Sequence, residues 1–216
     1  MRFHRRRLPA PHPRTPWREA EFCVVDLETT GLDLRRDEII AYGAALVTHA
    51  RIPFGRTRYG LVRPTRPVSV PALTVHGLRA ADLAQAPAID EIVGDLVDLL
   101  SNRVLVAHAA WVERAFLDRV LRPHGRRLGR AVIDTAALLR ACRLVDANAP
   151  SEPNLEAASV ALGLPVHTPH HALGDAFTTA QLFLALATRL ERVPAGKKPN
   201  ALTVRQLRAI SKHHRL

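Results

Sequence analysis

The chain has 216 residues, 47% of them hydrophobic, so most of it should fold around one sizeable core; it is too short for two, and no apolar run approaches the roughly 20 residues of a membrane span. A formal net charge of +11 and a pI near 11.1 suggest a polyanionic partner, nucleic acid first and an anionic membrane surface second, with a basic surface kept only for solubility as the other reading. The two cysteines, Cys23 and Cys142, make neither a disulfide framework nor a CxxC metal site, and read as buried, reduced thiols of a cytoplasmic protein.

Residues 1–17 are expected to be a disordered basic arm, with five arginines (Arg2, Arg5, Arg6, Arg7, Arg14), four prolines and no acid. Such an arm can follow a phosphate backbone without reading sequence. It lacks the apolar centre of a signal peptide. Residues 18–193 read as one folded domain. Its first strand spans 21–27, and "EIIAYGAALV" (38–47) and "RTRYGLV" (56–62) give two more, joined by short turns as hairpins. Residues 63–78 form a proline-punctuated connection. The helix at 88–100 puts Ile89, Ile92, Val93, Leu96, Leu99 and Leu100 on one face. A short buried strand (103–108) precedes a helix (110–125) ended by Pro123 and Gly125. Another strand (130–134) leads into the helix "TAALLRACRL", with Asp134 as its N-cap. Helices follow at 154–164 and 171–193. Residues 194–216 are a basic tail that can form a helix. Three strands in a meander, then strand–helix units, describe an α/β fold: a mixed sheet with helices on both faces.

The first strand ends in "VVDLETTG" (24–31). Residues i and i+2 of a strand point the same way, so Asp26 and Glu28 project together from its end. Two bare carboxylates side by side repel, and a hard divalent cation with oxygen ligands relieves them. Taken alone, D-x-E also fits an exposed pair at a strand end. Two further segments bring acids to the ends of apolar elements. "VAHAAWVERAFL" (106–117) carries Glu113 on a helix after a strand and a histidine. "HHALGD" (170–175) sets His170 five residues before Asp175 at the start of a long helix. Within "HTPHH", His167, His170 and His171 also allow a surface loop or a zinc site, although no cysteine or acid completes that local cluster.

"DLETTG", "AHAAWVERAFL" and "HHALGD" together resemble the three motifs of DEDDh 3′–5′ exonucleases, nearest in pattern to the proofreading epsilon subunit of bacterial DNA polymerase III and its stand-alone cousins. "TVHGL" (74–78) and "IDTAALLR" (133–140) match the family's flow, and the resemblance covers roughly residues 21–190. It implies an RNase H-like fold with a five-stranded sheet whose first three strands are antiparallel. The implied activity is hydrolysis of phosphodiester bonds from the 3′ end of nucleic acid, with DNA favoured and RNA open. The implied cofactors are two divalent ions, Mg²⁺ or Mn²⁺, held by Asp26, Glu28, Glu113 and Asp175 about 3.5–4 Å apart. His170 is the implied general base. The turn of Thr29, Gly31 and Leu32 would hold the terminal nucleotide, and His76 and His108 would line the cleft; a plain β-turn with Gly31 at positive φ is the other reading of that turn.

One departure stands out. The family's second motif usually reads "HNxxFD", whereas this chain has His108-Ala109-Ala110-Trp111-Val112-Glu113. The extra methylene of glutamate moves the carboxylate by about 1.5 Å, one carbon–carbon bond. Glu113 is therefore either a displaced ligand or a solvent-facing helix residue, and the latter would leave a catalytically weak nucleic-acid-binding module. "QLFLAL" (181–186) lies inside an apolar helix and reads as core rather than as a clamp-binding motif, so no polymerase partner follows from the sequence.

Overall fold

The structure, a computed structural model, describes residues 6–53, 55–129, 132–146, 149, 151–192 and 201–211. Its elements in chain order are β1 (Arg6–Arg7), β2 (Phe22–Thr29), β3 (Ile39–Val47), β4 (Thr57–Leu61), α1 (Val70–His76), α2 (Ala80–Leu83), α3 (Ile89–Leu100), β5 (Val104–Ala107), α4 (Trp111–Leu121), β6 (Arg126–Arg127), β7 (Val132–Asp134), α5 (Thr135–Ala141), α6 (Leu155–Ala161), α7 (Ala172–Glu191) and α8 (Val204–Ile210). Five strands form the main sheet in the order β4-β3-β2-β5-β7, with β2, β3 and β4 antiparallel and β5 and β7 parallel to β2. The expected mixed sheet with an antiparallel meander is therefore present.

β2 lies at the sheet centre and shows why its sequence is apolar on both sides. Phe22 and Val24 face a core built with α5, α6, α7 and α8, including Leu138, Phe183 and Leu186. Cys23 and Val25 face a second core under α3 and α4, including Leu96, Phe116 and Leu117. A central strand covered on both faces needs this continuous apolar run. Asp26 and Glu28 continue the Phe22–Val24 row. Leu182, Phe183 and Leu186 of "QLFLAL" are fully buried, as expected of core residues. Among the described residues, no helix is long and apolar enough to cross a membrane.

Two expectations need correction. The first is the disordered arm. Its residues 1–5 lie outside the described residues, but residues 6–17 are bound to the domain. β1 pairs in parallel with β6, Leu8 and Trp17 are buried, and the Trp17 backbone N–H donates to the Leu202 carbonyl at 2.8 Å. The prolines and arginines concealed two apolar anchors, and buried apolar area holds an extended segment that composition alone would leave free. The second is the connection at 63–78, which contains α1. Ser69 caps it by accepting from the Ala72 N–H, Pro71 sits in the first turn where its missing N–H costs nothing, and Gly77 ends it at φ 74. Proline here starts a helix rather than interrupting one.

The C-terminal segment does form a helix. Thr203 and Gln206 make a capping box for α8, and Val204 and Leu207 enter the core. Residues 194–200 and 212–216 of the expected tail, with Lys197, Lys198 and Lys212, lie outside the described residues, as do Arg130 and Ala131 of the expected strand before α5.

Candidate active site

The site begins with a row across the sheet. Asp26 pairs with Gly43, and Gly43 pairs with Tyr59, so the three positions share one face. Gly43 lies under the start of α7: a Cβ there would run into the backbone of Ala172 and Leu173. Glycine lets that helix start descend onto the sheet between Asp26 and Tyr59. Asp175, in the first turn of α7, then reaches the acids of β2. One carboxylate oxygen from each of Asp26, Glu28 and Asp175 lies within 4.8 Å of the others, the only such group of three metal-ligating side chains among the described residues. A β-bulge between Glu28 and Thr29 ends the β2–β3 ladder at the same place.

Glu113 arrives from the opposite face. It sits in the first turn of α4, at the carboxyl end of β5, and is only 5% exposed. It is not a solvent-facing helix residue. Its charge is the largest of those that disfavour ionisation of Asp26.

The electrostatics show what the cluster lacks. Burial, reinforced by Glu113, Glu28 and Asp175, pushes the Asp26 carboxyl well above the usual range. Burial and then Asp175 push Glu28 up to about 7. Burial pushes Glu113 up to about 8, aided by Asp134 and Glu28. Burial lifts Asp175 to about 6, even though the His170 backbone N–H donates to its Oδ2 at 2.9 Å. Glu113 Oε2 and Asp175 Oδ1 are buried without any hydrogen-bond partner. Four converging carboxylates, two of them with an unmet oxygen, fit a hard divalent cation, which prefers oxygen ligands and supplies positive charge.

The histidines divide by role. His170 has φ 60, and its side chain is 54% exposed, with Nε2 at 3.8 Å from Glu156 Oε1. Its backbone, not its ring, holds Asp175. His171 is the N-cap residue of α7 and stacks on Tyr59 at 4.5 Å and 22°. His167 pairs with Gln181 at 2.6 Å, so the three do not converge on one zinc ion. His76 lies beside the Thr29 backbone, and burial lowers the pKa of its imidazole. His108 does not offer a ring nitrogen to the cleft. Its Nδ1 meets Thr135 Oγ1 at 2.8 Å and its Nε2 meets the Pro153 carbonyl at 2.6 Å, which clips the segment before α6 to β5.

The turn after β2 is rigid. Thr29 Oγ1 donates to the Gly31 carbonyl at 2.7 Å, Thr30 Oγ1 donates to Asp37 Oδ1 at 2.9 Å, and Asp37 Oδ2 accepts from the Asp33 N–H at 2.7 Å. Gly31 is required for space, not for positive φ: a Cβ would lie 2.5 Å from Asp37 Oδ2. Leu32 beside it is 79% exposed. Tyr59 and Glu156 were not anticipated. Tyr59 could have been found by carrying the Asp26 register across two strands. Glu156 carries no local signal, because only the folding of α6 beside His170 brings it near.

The comparisons with known proteins follow this geometry. The exonuclease family profile matches residues 23–183. A DNA polymerase III subunit epsilon-like protein of Rhodobacter capsulatus is 35% identical over 180 residues, covering 82% of this chain and 25% of that protein. A 3′-5′ exonuclease DinG of Staphylococcus haemolyticus is 30% identical over 195 residues, covering 89% of this chain and 20% of that protein. The chain thus spans a quarter or less of the length of these relatives. Exonuclease X, solved in complex with 5′ overhanging duplex DNA, superposes with a TM-score of 0.64 at 24% identity, covering 88% of this chain and 99% of that one, and shares the RNase H-like exonuclease fold. The profile match spans most of the chain and contains Asp26, Glu28, Glu113 and Asp175, and the chain belongs to the exonuclease family.

Proposed function

We propose that this protein is a metal-dependent 3′–5′ exonuclease that releases nucleotides from the 3′ end of DNA. The observation that carries the reading is the convergence of Asp26, Glu28 and Asp175, with Glu113 behind them, from three separated segments onto one buried and uncompensated site. Asp26, Glu28 and Asp175 would hold a divalent ion, and Asp26 with Glu113 would serve a second. Mg²⁺ and Mn²⁺ are the candidates by ligand type. Held there, such ions would supply Lewis-acid polarisation of a phosphate and of the attacking water. His170 takes the proton of the attacking water. Its ring is exposed, five residues before Asp175 in the chain, with Nε2 at 3.8 Å from Glu156 Oε1. Thr29, Gly31, Leu32 and His76 form the wall against which the terminal nucleotide rests. DNA is favoured over RNA because the epsilon-like relative is named for a DNA polymerase.

The test is digestion of matched DNA and RNA oligomers, labelled at either end, with Mg²⁺ or Mn²⁺. Mononucleotides released from a free 3′ end, and blocked by a 3′-phosphate, are the expected outcome. Binding without hydrolysis under every metal condition would replace this reading with that of a binding module.

A further inference from the structure

We propose that the concavity between β1, β6 and α4 is a second anion site, which takes the phosphodiester backbone of the nucleic acid away from the scissile end. The proposal rests on the exonuclease reading for its ligand, but on separate residues for its chemistry.

The concavity has a volume of about 350 Å³ and is lined by Arg7, Arg114, Arg122 and Arg127, with Asp118 as its one acid. Asp118 is already engaged. Its Oδ1 accepts from the Leu128 N–H at 3.0 Å and its Oδ2 lies 4.0 Å from Arg114 Nε. Among the described lining residues the guanidiniums outnumber the carboxylate, so the concavity is positive on balance, and arginine cannot shed its proton to relieve it.

The ribbon that builds one wall sharpens the point. β1 and β6 pair with Arg6 beside Arg126 and Arg7 beside Arg127. Like charges directly opposite each other destabilise a strand pair. The pairing is nonetheless fixed from both sides, because the Arg6 N–H donates to the Gly125 carbonyl at 2.9 Å and the Leu8 N–H to the Arg127 carbonyl at 2.9 Å, with Leu8 buried beneath. Alternation along the strands puts Arg7 and Arg127 on the same side of the ribbon. The other wall is α4, where Arg114, Asp118 and Arg122 follow one another at four-residue spacing along one face. Arginines of both walls therefore line one space, and their forked N–H donors suit a phosphate.

Position selects a nucleic-acid chain as the occupant. α4 carries Glu113 in its first turn and is capped by Arg122, nine residues further on, which is about 14 Å at about 1.5 Å per residue. A strand whose 3′ end lies at the carboxylates would pass the arginines a few phosphates later, given about 3.4 Å of axis per phosphate in a duplex strand. Arg7 comes from the segment before residue 23, where the family match begins, so β1 adds its arginine to a wall whose other strand, β6, lies within the matched residues.

The experiment is fluorescence anisotropy on the full chain with Asp26→Asn, which keeps the oligomer intact, titrated against a 20-nucleotide single strand and a trinucleotide over a range of salt. Arg122→Ser with Arg127→Ser should weaken binding of the long strand and make its log K against log salt shallower by about 0.7 for each phosphate no longer neutralised. The trinucleotide, which reaches only the cleft, should bind as it does to the parent. Arg51→Ser with Arg56→Ser removes the same charge at the far β3–β4 hairpin and should leave the slope alone. Equal slopes for the two double variants, or an equal loss with the trinucleotide, overturn the proposal. Hydrolysis is measured apart, with Asp26 restored. An inactive parent protein would count against the exonuclease reading and leave the anisotropy result standing.

Discussion

Two clusters of like charge sit at opposite ends of α4, and they are tolerated by different physics. At its start Glu113 joins Asp26, Glu28 and Asp175 in a buried site. Carboxylates can escape mutual repulsion by taking protons, so the cost of crowding appears as raised pKa values and unmet oxygens. Beyond its end Arg122 faces Arg7 and Arg127 in an open concavity. Guanidiniums keep their charge at any ordinary pH, and water and salt screen them. The buried cluster should therefore report itself through pH and divalent ions, and the exposed one through salt.

The largest effects should come from the acidic end. Asp26→Ala and Asp175→Ala should each abolish metal-dependent hydrolysis in a protein that still folds; wild-type turnover in either would break the site assignment. Asp26→Asn should also raise the melting temperature of the metal-free protein at pH 8, because it removes a carboxyl whose ionisation burial and three neighbouring acids oppose. Glu113→Gln should lose activity severely, while Glu113→Asp, which restores the family's residue, should keep it. Metal titrations of these three proteins would show wild-type behaviour of Glu113→Gln if the second motif plays no part.

Next come the histidines. His170→Ala should lose about 10²–10⁴ in kcat, the usual cost of a general base, with little change in melting temperature. His171→Ala should instead lose stability, because its ring stacks on Tyr59 where α7 enters the sheet. Paired kinetics and melting curves separate the two; a larger kcat loss in His171→Ala would reverse their roles.

The pH response of the metal-free protein follows in size. Unfolded carboxyls titrate near about 4, whereas Asp175, Glu28 and Glu113 titrate at about 6, 7 and 8 in the fold. The folded state thus binds protons more tightly than the unfolded state, and its stability falls as pH rises from about 4 through about 8. Saturating Mg²⁺ should flatten that fall, because the ion replaces the protons. Melting temperatures that rise over this window without metal would show that the four acids are not crowded in solution.

Much of this was legible in the sequence, and what was hidden has a physical pattern. The period-2 rule placed Asp26 and Glu28 together, and its apolar run marked β5 as a buried strand. Local rules also gave the Asp134 cap, whose carboxylate accepts from the Ala136 N–H at 2.9 Å. What remained hidden depends on contacts between distant segments. Leu8 and Trp17 reach the core from a stretch whose prolines and arginines suggest disorder. His108 lies near the cleft in the chain but turns to hold Pro153, which is 45 residues away. Tyr59 enters through strand register, and Glu156 through the packing of α6.

The smallest effect tests whether the two ends of α4 can be separated from the backbone that joins them. Ala109, at the entry to α4, has φ 54, and its N–H donates to Asp134 Oδ1 at 3.1 Å. The left-handed conformation costs a residue with a Cβ about 1–2 kcal/mol, and asparagine bears it better because its short polar side chain bonds locally. The resembling family has asparagine here, and this chain has alanine. Ala109→Asn should therefore stabilise the protein by about 0.5–1 kcal/mol, roughly 2–4 °C in melting temperature per kcal/mol for a chain of this size. Ala109→Gly should gain less, since glycine loses more backbone freedom on folding. Neither change alters a charge, so the slope of stability against pH and the slope of binding against salt should both stay as they are. A shift in the pH slope would mean that the strained entry sets how closely Glu113 approaches Asp26, tying the backbone at Ala109 to the electrostatics of the acidic site.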